Sequence, residues 1–119
     1  MQEVSGRSGT QALGTAFVNT SSCSRQPPVP NAAYAPSKAA LNWYGVRINA
    51  EDDWLTTFIL DPGFVQTESG NAAAKIFGME EAPLTVDQSV DGMINVIKTA
   101  TKETVGGRLV LYTGEVQVW

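Results

Sequence analysis

Residues 54–60, Trp-Leu-Thr-Thr-Phe-Ile-Leu, carry no charge and stop at Asp61-Pro62-Gly63. A continuous β-prone run, as opposed to an alternating one, suits a strand covered on both faces. Asp-Pro-Gly is a strong breaker. Strands buried on both faces belong to parallel sheets, and parallel neighbours must be joined by a crossover, usually a helix. The residues upstream supply one. Residues 14–20, GTAFVNT, have a short apolar β-prone centre and read as a strand. Residues 31–51 read as the helix between the two strands, with Ala39, Ala40, Leu41, Trp43, Val46 and Ile48 giving helix propensity and an apolar face. Pro36 is tolerated there if it lies in the first turn, where its missing N–H breaks no helical bond. Between strand and helix stand the hydroxyl-rich Ser21, Ser22, Cys23 and Ser24, and then a proline-rich connection, residues 25–30. Strand, helix and strand with short joins predict a parallel crossover unit.

Downstream the pattern is mixed. Residues 64–82 turn polar through Gln66, Thr67, Glu68 and Ser69 and read as an irregular excursion with one short helix over residues 72–77. Thr85 and Gln88 match a capping box, and the helix they open holds Val86, Val90, Met93, Ile94 and Ile97 at helical spacing. That helix is expected to stop before Gly106-Gly107. Residues 108–112, RLVLY, read as a last strand, followed by a turn at Thr113-Gly114 and a tail. The coarse order is β–α–β–(short α)–α–β, and Trp43 and Trp54 are expected in the core.

At 119 residues the chain is one small domain or part of one. Its 12 acidic and 8 basic residues contain no basic run, so nucleic acid is not an expected partner. With no histidine and one cysteine, His-based triads and zinc sites are excluded, and no metal is expected. The first residues do not resemble a secretory signal, no apolar run is long enough to span a bilayer, and a cytoplasmic protein without membrane contact is the expectation.

The chemistry concentrates in Tyr34 and Lys38, which stand one above the other at i and i+4 on the 31–51 helix. A phenol is a poor proton donor or acceptor at neutral pH, and a nearby ammonium stabilises the phenolate. The pair is therefore a candidate general acid/base unit. The spacing alone is weak, since a packed tyrosine beside a solvated lysine satisfies it equally well. Its neighbours carry more. Ligands of doubly wound sheets bind beyond the carboxyl ends of the strands, and Ser22, the Tyr34/Lys38 helix start and Pro62-Gly63 all fall on that edge.

In order and spacing, Ser22, then Tyr34-x-x-x-Lys38, then Pro62-Gly63-Phe64-Val65-Gln66-Thr67 resemble the short-chain dehydrogenase/reductase family. The stretches PNAAYAPSKAALNW, INAEDDWLT and DPGFVQTESGNAA resemble its fungal branch related to norsolorinic acid ketoreductase. The resemblance implies the C-terminal half of a Rossmann-type α/β domain, three parallel strands with helices on both faces, spread over residues 1–119 as one partial domain. It implies NADP or NAD as cofactor and a small-molecule carbonyl substrate, a ketone and by the branch an aromatic polyketide. Tyr34 would donate the proton, Lys38 would favour its loss and bind the nicotinamide ribose, and Ser22, with Ser21 as second choice, would hold the substrate carbonyl. Pro62, Gly63, Val65 and Thr67 would line the nicotinamide carboxamide. The 31–51 helix resembles the family's dimer-forming helix, so a homo-oligomer through it is expected.

The sequence departs from the family in two ways. Arg25 stands where the family often has a glycine three residues after its serine. No Gly-x-x-x-Gly-x-Gly follows a strand, and the Gly-rich βαβ unit that binds pyrophosphate is missing. The second reading is accordingly a truncated, non-catalytic fragment that associates with full-length relatives.

Overall fold

The computed structural model describes residues 15–18 and 33–118. In chain order the elements are β1 (Thr15–Val18), α1 (Tyr34–Glu51), β2 (Thr57–Asp61), α2 (Glu68–Ile76), α3 (Val86–Thr99), α4 (Lys102–Val105), β3 (Leu109–Leu111) and β4 (Val116–Gln117). They form an α/β unit around one sheet of order β1-β2-β3-β4. β1 and β2 pair in parallel with Val18 opposite Leu60, and β2 and β3 in parallel with Asp61 opposite Leu111. The crossover unit and the three parallel strands are as the sequence predicts.

β4 is the addition. It pairs antiparallel to β3, Val116 opposite Val110, where the sequence suggested only a turn and a tail. Gly114, at φ +92°, turns the chain. Its N–H donates to Leu111 O at 2.8 Å, and the Leu111 N–H donates to Glu115 O at 2.8 Å. Two residues of strand are too few to leave a period in the sequence.

All five residues of β2 are buried. Phe58 and Leu60 point to one face and form the core with Val96 of α3, Val105 of α4 and Val110 of β3, with Met93 and Ala100 packed against it. Ile59 points the other way, where α1 packs on β1 and β2.

Several helical details differ from expectation. α2 starts at Glu68 and not near residue 72, because Thr67 is its N-cap. α3 has the expected capping box of Thr85 and Gln88 but stops at Thr99. A second box, Thr101 with Thr104, opens α4 just beyond it. The core-facing line of α3 runs through Ser89, Met93 and Val96, while Val86, Val90, Ile94 and Ile97 remain exposed beside it. On α1 the apolar residues do not gather on one buried face; only Gly45 is buried. Trp43 and Trp54, expected in the core, are 63% and 41% exposed. Apolar and polar residues are mixed around α1, so its sequence does not reveal which side meets the sheet.

The end of α1 is gathered by one side chain. Lys102 Nζ donates to Asn49 O at 2.6 Å, Asn49 Oδ1 at 3.1 Å, Asp52 O at 3.0 Å and Leu55 O at 2.7 Å. Asn49 O and Asp52 O lie at the helix end, where no further helical N–H reaches them, and Leu55 O lies on the approach to β2. Asn49 Oδ1 also accepts the Thr57 N–H at 3.2 Å, joining the helix end to the start of β2. Charge-assisted hydrogen bonds of this kind are the strong ones. Lys102→Ala is expected to cost about 2 kcal/mol, read from the urea midpoint. Lys98→Ala, on an exposed position of α3, should change stability by no more than about 0.5 kcal/mol.

Candidate active site

α1 is preceded by Ala33, which makes no side-chain cap, so Tyr34 is the first helical residue and Pro36 the third. Pro36 therefore occupies the first turn, the place where a proline is tolerated. The Ser37 hydroxyl donates to Tyr34 O at 2.6 Å and tightens that turn. One turn separates Tyr34 from Lys38, and the Lys38 ammonium lies 5.5 Å from the Tyr34 ring centroid, within range of a cation–π contact. Tyr34 is 48% exposed.

The far end of α1 is anchored at Thr57, so the position of its start can be counted. At ~1.5 Å per residue, Lys38 stands roughly 17 Å and Tyr34 roughly 22 Å along the helix from Asn49. β2 rises only about 13 Å from Thr57 to Asp61. The pair thus stands at and beyond the carboxyl edge of the sheet. That is the edge at which Pro62 and Gly63 close β2.

The turn is closely packed. Gly63 has φ +81°. Its N–H donates to Asp61 Oδ1 at 2.9 Å, and Pro62 O accepts from the Ser89 hydroxyl at 2.7 Å. A Cβ on Gly63 would come within 2.9 Å of Leu84 Cδ2 and 3.0 Å of Tyr112 Cε1. The positive φ and these close side chains together favour glycine here, apart from any close approach by a ligand. Val65 bridges to Leu84, with Gln66 N–H donating to Leu84 O at 2.7 Å and Leu84 N–H to Phe64 O at 3.1 Å. Gln66 Nε2 donates to Ala82 O at 2.9 Å, and Asn71 Oδ1 accepts the Ala82 N–H at 3.0 Å. Residues 64–84 are thereby tied into a closed excursion with both ends beside the turn.

Thr67 has a structural duty as well: its Oγ1 accepts the Gly70 N–H at 3.0 Å and caps α2. A threonine followed by an acid ahead of an alanine-rich segment is a helix-start signal that the sequence does carry. Ser22 and Ser21 lie outside the described residues. Asp61, 3% exposed, and Ser89, 1% exposed, are the polar groups behind the turn that sequence reading overlooked. An Asp two residues before a glycine in Asp-Pro-Gly is a recognisable side-chain-to-backbone turn. Nothing in the sequence around Ser89 signals its contact. Among the described residues no group of three or more His, Cys, Asp or Glu could hold a metal ion, and no helix is long and apolar enough to cross a membrane.

No protein-family model matches the chain. It is 45% identical over 75 residues to a short-chain dehydrogenase of Pyricularia oryzae, covering 63% of this chain and 30% of that protein. It is 45% identical over 84 residues to the norsolorinic acid ketoreductase of Aspergillus parasiticus, covering 71% and 31%. The chain thus spans less than a third of the length of these curated relatives. Among solved structures, it superposes on the carbonyl reductase Sniffer of D. melanogaster with a TM-score of 0.74 at 24% identity, over 99% of this chain and 48% of that one, a likeness of fold. The NADPH-bound carbonyl reductase from chicken fatty liver gives a TM-score of 0.62 at 27% identity, over 87% and 42%.

Gly63→Ala combines a left-handed backbone with a clash on Leu84 and Tyr112, and is expected to cost about 1–3 kcal/mol. Gly78 also has positive φ, at +79°, but a Cβ there meets nothing within 4 Å. Gly78→Ala should cost less, so comparing the two urea midpoints separates packing from backbone strain.

Proposed function

We propose that this chain, which belongs to the short-chain dehydrogenase/reductase family, carries the proton-donating and nicotinamide-facing part of an NADP- or NAD-dependent reductase that converts a ketone to an alcohol. The observation that carries the reading is the Tyr34 and Lys38 pair, its ammonium 5.5 Å from the ring centroid, at the sheet edge where the Pro62–Gly63 turn ends β2. In this reading Tyr34 gives its phenolic proton to the ketone oxygen as charge develops there, and Lys38 offsets the phenolate left behind. Lys38 also takes the nicotinamide ribose. Ser22 holds the ketone oxygen by its hydroxyl.

The chain's own atoms fit a nicotinamide at the turn. Val65 is half-buried, and its N–H hydrogen-bonds to no other described residue. It is a donor suited to a carboxamide oxygen, and Pro62, Gly63 and Thr67 are its near neighbours in the chain. The cofactor, when bound, supplies the hydride, and the protein supplies position and electrostatics.

For the substrate, Ile76, Phe77 and Met79 are 72%, 44% and 39% exposed. Phe77 meets Phe64 edge-on with ring centroids 6.5 Å apart. An apolar surface on the 64–84 excursion, joined to the turn through Phe64, favours an aromatic ketone, and the name of the Aspergillus parasiticus relative supports a polyketide of that kind. Contact between copies through α1 is supported by Trp43 and Tyr44, 63% and 62% exposed.

A second reading applies to the 119 residues as a separate polypeptide. They contain no Gly-x-x-x-Gly-x-Gly turn, so on their own they would associate with full-length relatives without catalysing.

Two experiments test these readings. With these residues grafted in place of the matching segment of the Aspergillus parasiticus ketoreductase, Tyr34→Phe should lower kcat by about 10²–10⁴. NADPH affinity should stay within about twofold, since phenylalanine keeps the ring and loses only the proton donor. Near-normal turnover would remove Tyr34 from the mechanism. The 119-residue polypeptide alone, titrated calorimetrically with NADPH and NADH, should bind in the millimolar range or weaker and reduce no ketone. Binding energy from the remote end of the dinucleotide is what offsets the entropy of positioning its reacting end. Micromolar binding with turnover would refute that account.

A further inference from the structure

Ser89 is the fourth residue of α3 and 1% exposed. A serine inside a helix commonly turns its hydroxyl back onto its own helix. Ser89 instead donates across to Pro62 O, 27 residues away in sequence, at 2.7 Å. The Pro62 carbonyl and the Gly63 N–H belong to one peptide group. The carbonyl is held by Ser89 and the N–H by the Asp61 carboxylate at 2.9 Å, so side chains grip both ends of that plane.

The orientation of this plane is a two-way choice. Proline fixes its own φ near −65°, and Gly63 at φ +81° has the positive φ that type II, and not type I, requires of its second central residue. A rotation of the Pro62–Gly63 peptide by about 180° would give type I. α3 lies hard against this edge of the sheet. Gly92, on the same helix, lies so close to Tyr112 that an added Cβ would meet Tyr112 O. The Tyr112 N–H in turn donates to Asp61 O at 2.8 Å.

We infer that Ser89 is a positioning residue: through one hydrogen bond, α3 selects the orientation of the Pro62–Gly63 peptide, the part of the turn that would face a nicotinamide carboxamide. The naming of a nicotinamide as the ligand rests on the reading given under Proposed function; the grip on the peptide does not.

The test uses nuclear magnetic resonance on the 119-residue chain. Ser89→Ala should speed Gly63 amide exchange at least ~10-fold relative to Ile59, whose N–H is bonded to Arg108 O in the sheet. It should also weaken binding of reduced nicotinamide mononucleotide about fivefold, as loss of one hydrogen bond implies. Val96→Ala cuts a larger buried side chain from the same helix without touching the turn. It should lower Tm yet leave the Gly63-to-Ile59 exchange ratio and the mononucleotide affinity as in the parent chain. If Ser89→Ala speeds both amides alike, or leaves Gly63 unchanged, Ser89 only packs and the inference is overturned. If the parent chain shows no mononucleotide-induced shifts at Gly63 and Val65, the nicotinamide reading fails instead, and the exchange ratio still decides whether Ser89 holds the peptide.

Discussion

β2 offers water nothing. From Thr57 to Asp61 every residue is buried, so its backbone must be satisfied by β1 on one side and β3 on the other, and its side chains by helices above and below. The remaining architecture follows from meeting those demands with one short chain. Parallel pairing to β1 requires a crossover, the crossover is α1, and an 18-residue helix beside a five-residue strand overshoots the sheet. The overshoot sets Tyr34 and Lys38 beyond the strand ends. The demand for burial ends at Asp61, and the turn that follows begins where the strand's neighbours stop.

What could be read from the sequence sorts by length and period. The continuous run before Asp-Pro-Gly gave β2, the Thr85 and Gln88 box gave the start of α3, and residues 31–51 gave α1 to within a turn. Two strand residues at Val116–Gln117 and a four-residue helix at Lys102–Val105 are shorter than any period, so they left no pattern to read. The tryptophans misled because hydrophobicity marks what can be buried and does not say against what. On α3 the exposed Val86, Val90, Ile94 and Ile97 outweigh the core line in apolar content. The core line itself includes a serine, which only the contact with Pro62 explains. Of the three motifs read in order, two lie among the described residues, the Tyr34 and Lys38 pair and the Pro62–Gly63 turn, and Ser22 does not. The hydrogen bonds that fix the geometry of the site edge join residues far apart in the chain, and no spacing encodes them.

The residues that resemble cofactor contacts also serve the fold. Gly63 makes room for Leu84 and Tyr112, Thr67 caps α2, and Pro62 accepts a hydrogen bond from α3. Fold and site draw on the same atoms. A substitution at any of the three therefore alters stability, and loss of activity alone cannot assign it a chemical role. Tyr34 and Lys38 are different. They stand at the exposed start of a helix whose anchoring lies at its other end, so their side chains can change with little effect on the core.

That anchoring has a chemical signature of its own. The Lys102 ammonium has three protons for four oxygens arriving from the end of α1 and the approach to β2, so at least one proton is shared. A compact ammonium can serve acceptors converging from several directions. A guanidinium directs its donors within one plane and is too wide for the same corner. Arginine, usually the mildest exchange for lysine, would here keep the charge and lose the geometry. Acylation of the same nitrogen would remove the charge and strand the carbonyls. A corner at the far end of α1 from Tyr34 therefore distinguishes between two cations that most surfaces treat alike.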